Sequence, residues 1–146
     1  MLNADFDKEY LYMSDNNVPP SVEPLSSVRT IANLVYALHT LAILIGIAGA
    51  ATVIGSFVGS LPSIVAVVLN YAKRRDARGS WAESHYRWQI RTFWFALLWM
   101  IIALLLILSV IGLPFGFAVL AATTIWLIYR IARGWLRLLD GLPMYA

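Results

Sequence analysis

Charge is missing from two long stretches of this 146-residue chain: none of its 11 Lys+Arg and 8 Asp+Glu lies between Ile31 and Ala72 or between Thr92 and Tyr129. A charged side chain at the centre of a bilayer costs roughly 2.5–3.5 kcal/mol on insertion scales, and each Leu, Ile, Phe or Val returns only a few tenths. The gaps therefore read as membrane spans. A soluble domain is a poor alternative, because 60% hydrophobic residues and a mean hydropathy of +0.73 exceed what a chain of this size can bury. Cysteine is absent, which excludes disulfides and thiolate chemistry. The two histidines, His39 and His85, are far apart, and the acids are confined to loops and tail. No nucleophile with its base, carboxylate pair or metal set assembles from them, and phosphate-cradling glycine loops are missing too. These absences point away from an enzyme and from a bound cofactor or metal.

Each charge-free gap is about twice the roughly 20 residues that a helix needs to cross about 30 Å of hydrocarbon. The expected fold is an all-α membrane protein of four transmembrane helices, arranged as two helical hairpins with N- and C-termini on the same side. That side holds every charge. Lys73, Arg74, Arg75 and Arg78 in a short loop, with Arg130, Arg133 and Arg137 near the end, make it cytoplasmic by the positive-inside rule. A sequence pI near 9.5 is explained by charge that flanks the spans, so anionic lipid headgroups rather than nucleic acid are the expected partner. Lys73, Arg74, Arg75, Arg130, Arg133 and Arg137 are the candidate lipid contacts.

Residues 1–28 carry Asp5, Asp7, Glu9, Asp15 and Glu23 against Lys8, together with Pro19-Pro20. They read as an acidic, disordered cytoplasmic tail, with docking on a partner or on the basic loop as the alternative. Such a tail is the reverse of a basic signal region, so the first span is expected to act as its own insertion signal. The four-helix domain then covers 29–146, with spans at about 30–55, 61–75, 81–111 and 114–139. Gly112 and Pro114 mark the second outer turn, as a helix-ending glycine and a first-turn proline. Gly46, Gly49, Gly55 and Gly59 all precede Pro62, so the first turn has two placements. The favoured one is near Gly55–Gly59, with Pro62 in a first turn. The other is near Gly49, with Pro62 inside the second helix. Gly55-x-x-x-Gly59 and Gly112-x-x-x-Gly116 have close-packing spacing but fall at these turns.

Ser80-Trp81-Ala82-Glu83 has the spacing of a capping box, which starts a helix at Trp81. Its first turns hold Glu83, His85, Arg87, Gln89 and Arg91 among Trp81, Tyr86, Trp88, Phe93 and Trp94. The aromatics suit a headgroup-level belt. An acid, an imidazole and an amide together go beyond anchoring, and they suit a polar network against the tail, the C-terminal end or another protein. Those five polar residues are the candidate partner contact. Within the spans, His39 invites a proton-relay reading, but no acid or second histidine lies at its depth. Asn33, Thr40, Thr52, Asn70, Thr123 and Thr124 offer hydrogen bonds between helices.

The runs Tyr71-Ala72-Lys73-Arg74, Arg78-Gly79-Ser80-Trp81 and Glu83-Ser84-His85-Tyr86-Arg87-Trp88-Gln89-Ile90-Arg91-Thr92-Phe93-Trp94, with Arg130-Ile131-Ala132-Arg133-Gly134 and Gly141-Leu142-Pro143, resemble a family of small bacterial membrane proteins, the DUF4870 domain of unknown function. That family is distantly similar to Tic20, a chloroplast inner-envelope protein-import component. The resemblance covers roughly Thr30 to Tyr145 and implies four transmembrane helices in a bacterial inner membrane.

Spans nearly devoid of polar groups do not provide a self-contained transport path. The expected function is a non-enzymatic subunit or assembly factor of a larger membrane complex, working with a membrane-protein partner or as a homo-oligomer. An oligomeric channel or Tic20-like translocation component is the alternative.

Overall fold

The charge-free stretches fold as helical hairpins. The computed structural model describes residues 22–49, 53–109 and 111–144, with the side chains of 53–60 outside that description. Among the described residues there are four helices and no strand: α1 (Ser26–Ala48), α2 (Val53–Lys73), α3 (Ala82–Leu108) and α4 (Leu113–Leu139). Helix α1 packs on α2 and α3 on α4; α1 also leans on both α3 and α4, whereas among the described residues α2 and α4 do not touch. With 23, 27 and 27 residues, α1, α3 and α4 are long and apolar enough to cross a membrane. At 1.5 Å per residue they measure about 34–40 Å. Helix α2 has 21 residues, but its described apolar run, Leu61–Lys73, is shorter. Three helices thus meet the length and hydropathy of a span, where the sequence predicts four.

The second outer turn lies where glycine and proline place it. Gly112 precedes α4 and Pro114 occupies its first turn. A Cβ at Gly112 would lie 2.6 Å from the Leu106 carbonyl oxygen, and one at Gly116 2.9 Å from that of Ala103. The Gly112–Gly116 spacing therefore serves contact within the α3–α4 hairpin. The first turn departs from the favoured placement. Helix α1 ends at Ala48, with Gly49 as its cap, and α2 runs from Val53 through Pro62. The reason is length: spans at 30–55 and 61–75 leave the second too short for about 30 Å of hydrocarbon. A break at Gly49 instead gives helices of 23 and 21 residues. Gly55 and Gly59 fall in α2, where their packing lies outside the described side chains, as does Thr52.

The capping box forms only in part. Glu83 Oε2 reaches back and accepts the Gly79 N–H at 3.0 Å. The Ser80 hydroxyl instead donates to the Ala77 carbonyl at 2.8 Å, and the helix starts at Ala82 with no side-chain cap. Gly79, at φ +75°, lets the chain turn sharply just before it.

Burial is inverted relative to a water-soluble bundle. The core cluster (Val28, Ala32, Tyr36, Ala77, Trp81, Ala82, Tyr86, Ile131, Leu138) sits at the charged end. Only 11% of the most apolar stretch of α4 is buried, and Ile125 is 69% exposed.

Candidate functional site

At the charged end six chain segments meet: residues 22–25, the first turns of α1, the 74–81 loop, the start of α3, the last turns of α4, and residues 140–144. Helix α3 supplies the inner wall. Ala82, His85, Tyr86, Gln89 and Ile90 are buried at i, i+3, i+4, i+7 and i+8, one face of a helix.

His85 is the centre. Its Nε2 lies 2.8 Å from the Leu142 carbonyl oxygen, which can only accept, so Nε2 carries the proton. Its Nδ1 is then the acceptor for the Tyr36 hydroxyl of α1, 3.1 Å away. Trp81 and Tyr36 pack edge-on to the imidazole, and Trp135 of α4 stacks on Tyr36. Gly134 makes this approach possible, because a Cβ there would collide with the Tyr36 hydroxyl and ring. Trp135 Nε1 donates to Asn33 Oδ1 at 3.1 Å. The Gln89 amide donates to the Ala32 carbonyl at 3.1 Å and the Tyr86 hydroxyl to that of Val28, also at 3.1 Å.

The segments before α1 and after α4 are both tied into this cap. Glycine at φ +69° reverses the chain after α4: the Gly141 N–H donates to Leu138 O and the Leu142 N–H to Arg137 O, the paired bonds of a Schellman stop. The reversal brings Leu142 to His85 and lets the Met144 N–H donate to Ser84 Oγ at 2.8 Å. At the other end Val22 forms a parallel bridge to Ser80, and Trp81 Nε1 donates to Glu23 at 3.2 Å. Arg29 donates to the Leu139 carbonyl at 3.0 Å, at the negative end of the α4 dipole. Of the predicted disordered tail, residues 22–28 are therefore docked on the loop or helical; residues 1–21 lie outside the described residues.

The five predicted contact residues separate. His85 and Gln89 are 0% and 1% exposed, so they hold the molecule together and are not open to a partner. Glu83 is half-buried and tied to Gly79, while Arg87 and Arg91 are exposed on the opposite face of α3. The predicted lipid-contact residues also divide. Arg130 turns inward: its Nε donates to Thr92 Oγ1 at 2.8 Å and its guanidinium lies 3.5 Å from the centre of the Trp88 ring. Its partners are an α3 hydroxyl and an indole, because α4 packs directly on that collar. Arg133 is exposed and donates to the Tyr129 hydroxyl, Arg137 is half-buried, and Arg74 and Arg75 are exposed. Lys73 pairs with Asp76 at 3.0 Å.

Tyr36 and Gly134 escaped the sequence reading. The available signal was that Tyr36 is the one aromatic between Ile31 and Ser56, with a hydroxyl that needs a partner. In the apolar body His39 Nδ1 bonds to Ser63 Oγ at 3.0 Å, while His39 Nε2 and both amide atoms of Asn70 are buried with no protein partner. Among the described residues no three His, Asp or Glu side chains gather as a metal site needs. Trp99, Val119, Ala122, Thr123 and Trp126 line a shallow apolar hollow.

No family model, curated protein or solved structure matches this chain.

Proposed function

We propose that this is a non-enzymatic integral membrane protein that crosses a bacterial inner membrane four times, with its charged cap in the cytoplasm, and serves as a subunit or accessory factor of a larger membrane complex. One observation carries the reading: the side chains most suited to chemistry, His85 and Gln89, are buried in the cap, while its outer rim carries arginines and the body below is apolar outward. A soluble chain would bury that body. Lipid and neighbouring helices are the surroundings that fit it.

The count of four crossings is supported by the 21-residue length of α2, whose last residue, Lys73, leads into the loop of the charged end. The cytoplasmic side is supported by the basic surplus of the 73–91 segment. The resemblance to the DUF4870 family leads to the same membrane. With His85 and Gln89 turned inward, partner contact falls to Glu83, Arg87 and Arg91, and anionic-lipid contact to Lys73, Arg74, Arg75, Arg133 and Arg137.

Site-specific photo-cross-linking in native membranes tests the subunit reading. A cross-linker replacing Arg87 should trap one discrete protein, and the same group replacing lipid-facing Ile128 should trap mostly lipid. If position 87 yields no protein adduct, the partner assignment fails.

A further inference from the structure

Outside the cap, one place gathers positive charge without an answering anion among the described residues. Arg74, just beyond α2, and Arg87 and Arg91, one turn apart on α3, line a cleft of about 240 Å³ whose apolar wall is Ile90. The acids nearest in sequence are already engaged: Asp76 pairs with Lys73 at 3.0 Å and Glu83 accepts the Gly79 N–H at 3.0 Å. Among the described residues, none of the three arginines has a hydrogen bond, ion pair or ring partner. Three uncompensated guanidiniums around one cleft repel each other, and an anion placed between them relieves that repulsion.

The depth of the cleft narrows the choice of anion. Charge disappears from α2 above Lys73 and from α3 beyond Arg91, so the cleft lies where both helices enter the apolar body. Next to it, the Trp94 indole donates to the Tyr71 hydroxyl at 3.0 Å, tying α3 to α2. Both rings are about half exposed, as amphipathic aromatics are at headgroup level. Guanidinium forks match the paired oxygens of a phosphate, and Ile90 provides apolar surface beside it.

We propose that the Arg74–Arg87–Arg91 cleft is a binding site for a phosphate group, offered by an anionic phospholipid headgroup or by free phosphate. The inference rests on the membrane placement proposed above and needs no protein partner. It joins Arg74 of the loop to two helix residues that the sequence grouped separately.

Native mass spectrometry on the full chain, delipidated in a non-ionic detergent, provides the test. Short-chain phosphatidylglycerol and inorganic phosphate are the probes, and R74Q, R87Q, R91Q and the triple variant are compared with R78Q, at an exposed loop arginine outside the cleft. Circular dichroism confirms that each variant keeps its helices. Phosphatidylglycerol should bind at one copy per chain, and each cleft substitution should weaken it roughly five-fold, whereas R78Q leaves it unchanged. Binding of inorganic phosphate with the same arginine dependence identifies a site open to free phosphate; lipid binding without it identifies the headgroup as the source. Equal lipid and phosphate binding by the wild type and the triple variant overturns the proposal, as does an R78Q loss as large as the cleft losses. A protein adduct at position 87 alongside that result would sink the phosphate site and leave the subunit reading standing.

Discussion

A buried imidazole with both nitrogens engaged cannot also serve a partner, and this decides how the most informative residue of the chain is understood. His85→Ala removes the bonds to Tyr36 and Leu142, strands a buried hydroxyl and opens a cavity. The expected loss is about 2–4 kcal/mol, read as a lower melting temperature in detergent. Gly134→Ala should cost about 1–3 kcal/mol by overpacking against Tyr36. Because the two sites touch, Tyr36→Phe should soften the Gly134→Ala penalty, and a double-mutant cycle that came out strictly additive would show that the contact is absent. Arg130→Lys keeps the charge but loses the planar face over Trp88 and the Nε bond to Thr92. It should destabilise by about 1 kcal/mol in the same melting assay, even though lysine keeps the positive charge that an anionic surface attracts.

At the scale of elements, the helices and the second turn were legible because their signals are local. Absence of charge marks α1 through α4, and glycine followed by proline marks where α4 begins. The first turn was not legible locally, since four glycines and Pro62 offer competing breaks and only the length each helix needs chooses among them. The capping box was half legible: Glu83 engages a backbone N–H, but the loop conformation at Gly79 turns Ser80 toward Ala77. The lack of native cysteine makes the arrangement simple to check by single-cysteine labelling. An impermeant thiol reagent should reach Gly49→Cys and Ile111→Cys from one side of the membrane and Arg75→Cys from the other, with Ser63→Cys protected. Labelling of Arg75→Cys and Ile111→Cys from the same side would rule out α3 as a crossing.

For the whole molecule, the cap behaves as one unit because residues 22–25 before α1 and residues 140–144 after α4 are fastened to the same few groups. Removing residues 140–146 takes the acceptor from His85 Nε2 and the donor from Ser84 Oγ. Hydrogen exchange should then quicken at His85 and Tyr86 and also across residues 22–28, which are held through Trp81, Tyr86 and Arg29. Loosening confined to the cut end would show that the cap is not cooperative. The sequence by itself determined that the chain is helical, that three of its helices are long and apolar enough to cross a membrane, though it predicted four, and that charge collects at one end, because a desolvation cost and a helical length are sums over neighbouring residues. Which polar side chains of that end are used up and which stay available was decided only by the tertiary structure. Glu83, His85, Arg87, Gln89 and Arg91 look alike in the sequence. Only the docking of α1, α4 and the reversed C-terminal segment against one face of α3 buries His85 and Gln89, and leaves Arg87 and Arg91 facing Arg74 across a cleft.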